Sequence, residues 1–127
     1  MKIISCAWTT PAVEAHIKTC TRRGWPGHYA KQFHLGDMVQ LYNKLPRCHG
    51  SLICLARLTA DPILQSTAEA PETDWIAEGF QYLSSIGATV NGFTPEQLWA
   101  QWHDKPELLW VVRFEYPMGF DALHAPW

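Results

Sequence analysis

The sequence predicts an α+β fold, a small β-barrel with helices covering its ends. Three observations carry that expectation. Strand-like runs near residues 3–8, 19–21, 38–42, 51–59 and 108–116 follow one another without the regular strand–helix alternation of a doubly wound sheet. Helical patterns interrupt them only early and late in the chain. The 127 residues, 47% of them hydrophobic, suffice for one core but are few for two domains. Residues 1–127 are therefore read as one domain, with a core at about 3–116 and a C-terminal tail at 117–127.

Ile3 to Trp8 opens as a strand. Thr10 followed by Pro11 starts a helix, since proline at the first helical position loses no needed donor; Val13 and Ala15 carry it to about Ile17. Thr19-Cys20-Thr21 is extended, ending at the turn residues Gly24, Pro26 and Gly27. A short helical piece is expected over 29–33. Gly36-Asp37 introduces the strand 38–42, the stretch 43–50 makes the return, and 51–59 is a strand rich in Leu and Ile. The segment Asp61 to Asp74 is the nearest thing to a linker.

Over 73–85 the spacing predicts one helix, with Trp75, Ile76, Phe80, Tyr82, Leu83 and Ile86 on a broad apolar face. Thr94-Pro95-Glu96-Gln97 is a capping box, opening a helix that buries Leu98, Trp99 and Trp102. The strongest strand is 108–116, stopped by Pro117. The tail from Phe120 to Trp127 is read as a cap on the barrel or a contact for a partner.

Composition narrows the function. Seven tryptophans imply a large aromatic core. No apolar run approaches the roughly 20 residues of a membrane span, and the start has no signal-peptide core or cleavage site, so the chain is read as cytoplasmic. Cys6, Cys20, Cys48 and Cys54 form no C-x-x-C pair and are expected as free thiols packed as small hydrophobes. His16, His28, His34, His49, His103 and His124 form no H-E-x-x-H site. Net charge is −2, unlike that of a general nucleic-acid binder. Yet residues 15–36 hold Lys18, Arg22, Arg23 and Lys31 without one acid. That block reads either as a solvated face or as a local site for phosphate or a polarised carbonyl.

Glycine-rich phosphate loops and a G-x-S-x-G elbow are missing. What stands out is Lys18-Thr19-Cys20-Thr21-Arg22-Arg23, with three cations, two hydroxyls and a thiol directly after a short helix. At that helix's C-terminal end the macrodipole favours a charged Lys18 by about 0.3–1 kcal/mol. A nucleophilic lysine needs the reverse, a proton made easier to lose by burial or by cations such as Arg22 and Arg23. In a regular strand, side chain 18 faces away from 21 and 23. A shared site therefore requires Lys18 to stand on the helix–strand joint.

Trp8-Thr9-Thr10-Pro11 leading into Lys18 to Arg23 resembles the opening of ASCH domain proteins, in the PUA-like superfamily. Gly36-Asp37 before a strand is similar to that family's G-D element, Ala77-Glu78-Gly79-Phe80 to its glutamate-bearing helix, and Val111 to Glu115 to its closing strand. The resemblance implies a PUA-like barrel with a cleft and a role in RNA or modified-base recognition. One branch of small ASCH proteins is an amidohydrolase acting on N4-acetylcytidine. Carried over by position, Lys18 would be the nucleophile, Thr21 and Arg23 its supporting residues, and Glu78 the acid/base; Thr19, Arg22 and Trp25 would contact substrate. No cofactor or metal is implied. The partner would be a nucleoside or nucleobase, free or within RNA or single-stranded DNA. A non-catalytic base reader and a protein-interaction scaffold are the alternatives. Beside these roles stand plainer ones: Glu78 as a solvated helix position, Arg22 as a surface cation, and Trp25, Tyr42 and Trp110 as packing residues.

Overall fold

The computed structural model describes residues 1–117; the expectation for Phe120 to Trp127 falls outside the described residues. Six strands, β1 (Lys2–Ser5), β2 (Cys20–Arg23), β3 (Met38–Tyr42), β4 (Leu52–Leu58), β5 (Ile63–Ser66) and β6 (Leu108–Glu115), form one curled sheet, a half-barrel. Five helices accompany it: α1 (Thr10–Glu14), α2 (Gly27–Ala30), α3 (Asp74–Ala77), α4 (Phe80–Ser85) and α5 (Pro95–Asp104). Single 3-10 turns lie at Ala7–Thr9, Pro46–Cys48 and Thr67–Glu69. The chain is thus α+β, as its pattern predicts. No helix among the described residues is long and apolar enough to cross a membrane.

Strand order is β1-β3-β4-β6-β2, with β5 also on β6. β1 and β3 run parallel, and every other pair is antiparallel. β6 organises the curl. One edge takes β2, from Cys20 opposite Arg113 to Arg23 opposite Trp110. The other takes the end of β4, with Leu58 opposite Phe114, and then β5, from Ile63 opposite Val111 to Ser66 opposite Leu108. β4 and β5 are one track along β6, interrupted at 59–62, where Pro62 has no N–H to give the ladder.

The segment read as a linker therefore holds a strand. Its four residues are too short for a pattern, and only its partner β6 reveals it. The single helix expected over 73–85 is two, α3 and α4, broken where Gly79 takes φ +90°. α1 stops at Glu14 rather than near Ile17. His16 takes φ +58°, and the N–H groups of Ile17 and Lys18 both turn back to Ala12 O, at 2.9 and 3.1 Å. The helical piece expected over 29–33 lies earlier, as α2, and ends at Ala30. The capping box of α5 is complete: Gln97 N–H donates to Thr94 Oγ1 at 3.1 Å, and Thr94 N–H to Gln97 Oε1 at 2.9 Å.

Two apolar clusters form. Ile4, Val13, Phe33, Val39, Leu41, Ala56, Leu58, Val112 and Phe114 fill the inside of the sheet, while Ala12, Phe80, Leu83, Val90 and Trp102 join the helices. Trp75 and Trp99 pack on the second cluster as expected, but Ile76 and Ile86 of the proposed apolar face are exposed. All four cysteines are free thiols; Cys6, Cys20 and Cys54 are buried and Cys48 is exposed. Tyr42 and Trp110 are half-buried.

Gly79 passes close to Ala12 of the second cluster and to Lys18. A Cβ there would stand 2.6 Å from Ala12 Cβ and 3.5 Å from Lys18 Cβ. The left-handed backbone alone costs a residue with a Cβ about 1–2 kcal/mol, so Gly79→Ala should lower the melting temperature by roughly 5 °C or more. An unchanged melting curve would show that the α3–α4 break tolerates a side chain.

Candidate functional site

Lys18 sits in the five-residue joint between α1 and β2, outside the regular pleat. Its N–H is bound to Ala12 O, and its carbonyl accepts a short hydrogen bond from the Tyr116 hydroxyl. Thr19 N–H next door is anchored on Ala77 O at 2.8 Å. Held by its backbone, the side chain turns inward and is only 1% exposed. Its Nζ donates to Glu78 O at 2.8 Å and to Glu78 Oε1 at 3.0 Å. The helix-end placement expected for Lys18 does not occur, because α1 has ended four residues before it.

Glu78 is equally buried, so the solvated-helix reading is wrong for it. It follows α3 directly, and the glycine after it lets the chain pass Ala12 closely enough to bring the carboxylate to Lys18. Its Oε2 accepts from Arg22 NH1 at 2.7 Å and lies 3.5 Å from Cys20 Sγ. Arg22 is no surface cation. Its guanidinium is fully buried and also donates to Asp74 Oδ2 at 2.6 Å and Gln65 Oε1 at 3.1 Å. Asp74 in turn receives both guanidinium arms of Arg113, each at 2.9 Å. The period of two along β2 explains the arrangement: Cys20 and Arg22 share one face, Thr21 and Arg23 the other.

Electrostatics follow from this packing. Burial works against the charges of Arg22 and Asp74. Even so, Glu78 and Asp74 raise Arg22 above the ordinary arginine value, and hydrogen bonds from Arg113 and Arg22 hold Asp74 below the usual carboxylate range. The Cys20 thiol is pushed far up by burial and by Glu78, which keeps it protonated. Arg23 differs from its neighbour. Its NH2 donates to the Ser5 carbonyl and burial lowers its pKa, while its buried Nε, like that of Arg22, has no partner. No carboxylate pairs with it among the described residues.

Lys18, Thr21, Arg22, Arg23 and Glu78 line one pocket of about 140 Å³, together with Trp8, Phe80, Val90 and Leu98. That is well below the roughly 300–1,000 Å³ of sites for drug-sized ligands, and suits a single ring. Its charged and polar side chains are set in apolar walls, as in ligand sites generally. All four residues expected to act chemically are thus brought together. Thr19 is not among the residues lining this pocket; its backbone anchors the joint, the N–H on Ala77 O and the carbonyl accepting from Phe114 N–H at 2.9 Å. Trp25 stands apart from the pocket, stacked on Phe33 at 4.5 Å and packed on the sheet core.

Sequence reasoning missed Asp74, Gln65 and Arg113, which position Arg22, and Trp8 at the pocket edge. These hydrogen-bond and ion-pair partners were illegible because they come from β5, α3 and β6, which only the tertiary fold brings together. Among the described residues, no group of three or more His, Cys, Asp or Glu is placed to hold a metal ion. No protein-family model, curated protein or solved structure matches the chain.

Proposed function

We propose that the chain is a PUA-like domain of the ASCH type that binds a cytosine-type base in this pocket and hydrolyses an N4-acyl group from it. The observation that carries the reading is Arg23: a guanidinium lining a one-ring pocket, without a carboxylate partner among the described residues, beside a buried Lys18–Glu78 pair. Buried charges are ordinarily paired. A cation left without an acid there supports a ligand carbonyl that gains negative charge during reaction.

The roles differ from those implied by the resemblance. An acyl group on Lys18 would be an amide, no easier to hydrolyse than the substrate, whereas an ester on Thr21 is readily cleaved. Thr21 Oγ1 is therefore the nucleophile. Lys18, having passed a proton to Glu78 along their 3.0 Å hydrogen bond, accepts the hydroxyl proton as Oγ1 bonds to the acyl carbon. Arg23 meets the oxyanion. Collapse breaks the C–N bond, and the Lys18 proton goes to the leaving N4, releasing the free cytosine amine. Water then attacks the Thr21 ester, releasing the carboxylic acid and restoring the hydroxyl.

The test is release of acetate from N4-acetylcytidine. Arg23→Ala should lower kcat by roughly 10²–10³-fold, the usual effect of removing one oxyanion donor. Tight binding without turnover of any N4-acyl cytosine would turn the reading into a non-catalytic base reader. Binding of no base at all would end it.

A further inference from the structure

Because β1 and β3 are parallel, both leave the sheet at the same end. The residues that follow them lie side by side: Cys6 N–H donates to Tyr42 O at 2.7 Å. Beyond that bond come Ala7 and Trp8 from one strand, Asn43 and Lys44 from the other. With Thr10 these four line an open, largely apolar pocket of about 390 Å³. Ala7 and Trp8 also line the buried pocket of Lys18 and Glu78. Ala7-Trp8 is therefore a wall common to both cavities.

Three further features give that junction a direction. Trp8 is 57% exposed, unlike the packed Trp102, and it rides on Ala7, whose φ of +42° is a left-handed conformation rare for a residue with a Cβ. Strain of this kind clusters at ligand clamps. Asn43 Oδ1 accepts the Ser51 N–H at 2.8 Å, which leaves the Asn43 amide NH2 as a donor. Lys44 is exposed, and no carboxylate pairs with it among the described residues. Between Asp37 and Asp61 the chain holds Lys44, Arg47 and Arg57 and not one acid.

We infer that the open pocket is a sugar–phosphate subsite, so that the ligand is a nucleotide rather than a free base. Its ring enters the buried pocket, its ribose lies against Trp8 within reach of the Asn43 amide, and its phosphate meets the Lys44 ammonium. A pocket sized for one ring and lined by buried side chains leaves the sugar outside, and the wall it shares with the open pocket carries an exposed indole, beside a cation with no carboxylate partner among the described residues. This inference rests on the base-binding reading above. The phosphate's source, a mononucleotide or a link in a single strand, is left for the experiment to separate.

The experiment titrates the intact protein with N4-acetylcytidine, its 3′- and 5′-monophosphates, and a short single-stranded RNA, at two salt concentrations. A phosphorylated ligand should bind about tenfold more tightly than the nucleoside. That advantage should weaken with salt, with a log–log slope near −0.7 for each phosphate contacted on a single strand. In Lys44→Glu the ratio of the two affinities should fall to about one. Trp8→Ala should weaken ligands that reach the indole by roughly fivefold or more. A gain for the monophosphates supports a mononucleotide, and a gain for the RNA alone supports a strand. Equal affinities for all four ligands, or a ratio that survives Lys44→Glu, would overturn the subsite while leaving base binding intact. Lys44-dependent phosphate binding that ignores both Arg23→Ala and the base would instead sink the base-pocket reading, and the subsite with it.

Discussion

Lys18→Met is expected to lower kcat/KM for N4-acetylcytidine by roughly 10²–10⁴-fold, the range of a lost general acid–base group. Methionine fills nearly the same volume, so the buried site loses its proton carrier without gaining a large cavity. Glu78 keeps its hydrogen bond from Arg22 in that variant and is not left unpaired. The discriminating variant is Lys18→Arg. It keeps the positive charge beside Glu78, but a guanidinium is not deprotonated in proteins. If Lys18 moves a proton, Lys18→Arg stays as inactive as Lys18→Met. Turnover restored by arginine would show that residue 18 supplies charge alone, and would end its role as base. Glu78→Gln should fall with the lysine variants, since it removes the acceptor of the Lys18 proton.

Arg22→Ala is expected to have the largest effect on stability, about 3–5 kcal/mol, because it strips one partner from two buried carboxylates at once. Against a total of about 5–15 kcal/mol for a domain, that should lower the melting temperature by roughly 10–20 °C. The exposed pair Arg57–Glu115, 3.5 Å apart with both side chains about half exposed, is the control. Arg57→Ala should cost about 0–1 kcal/mol. Equal effects of the two substitutions would mean that burial adds nothing to the Arg22 pairs. The same network sets acid stability. Asp74 is held below its ordinary value by Arg113 and Arg22. Its contribution is thus present above the unfolded-state value near 3.9 and is lost as pH falls through the lower folded-state value. Asp74→Asn should flatten that part of the acid unfolding curve.

How much of this was legible varies with range. Met38–Tyr42 and the Thr94–Gln97 capping box were readable because alternation and capping are local, fixed by residues at most four apart. β5 was not, because four residues after a proline carry no period, and their strand state depends on β6, more than 40 positions later. Gly79 was visible as a glycine, but its break of the helix depends on Ala12 and Lys18 crowding from α1 and the joint. Arg22 looked like a surface cation because its partners Asp74 and Gln65 lie 52 and 43 positions away.

The sequence by itself determined the α+β class, the order of most elements, and a cationic, hydroxyl-bearing strip from Lys18 to Arg23, since each follows from short-range pattern and residue chemistry. Only the tertiary structure decided which of those side chains share a cavity. His16's left-handed turn swings Lys18 off the strand's alternation, and Gly79 lets Glu78 approach it. The curl about β6 then gathers acids for Arg22 while, among the described residues, leaving Arg23 without one. Those outcomes depend on backbone positions dozens of residues apart, which no local pattern encodes.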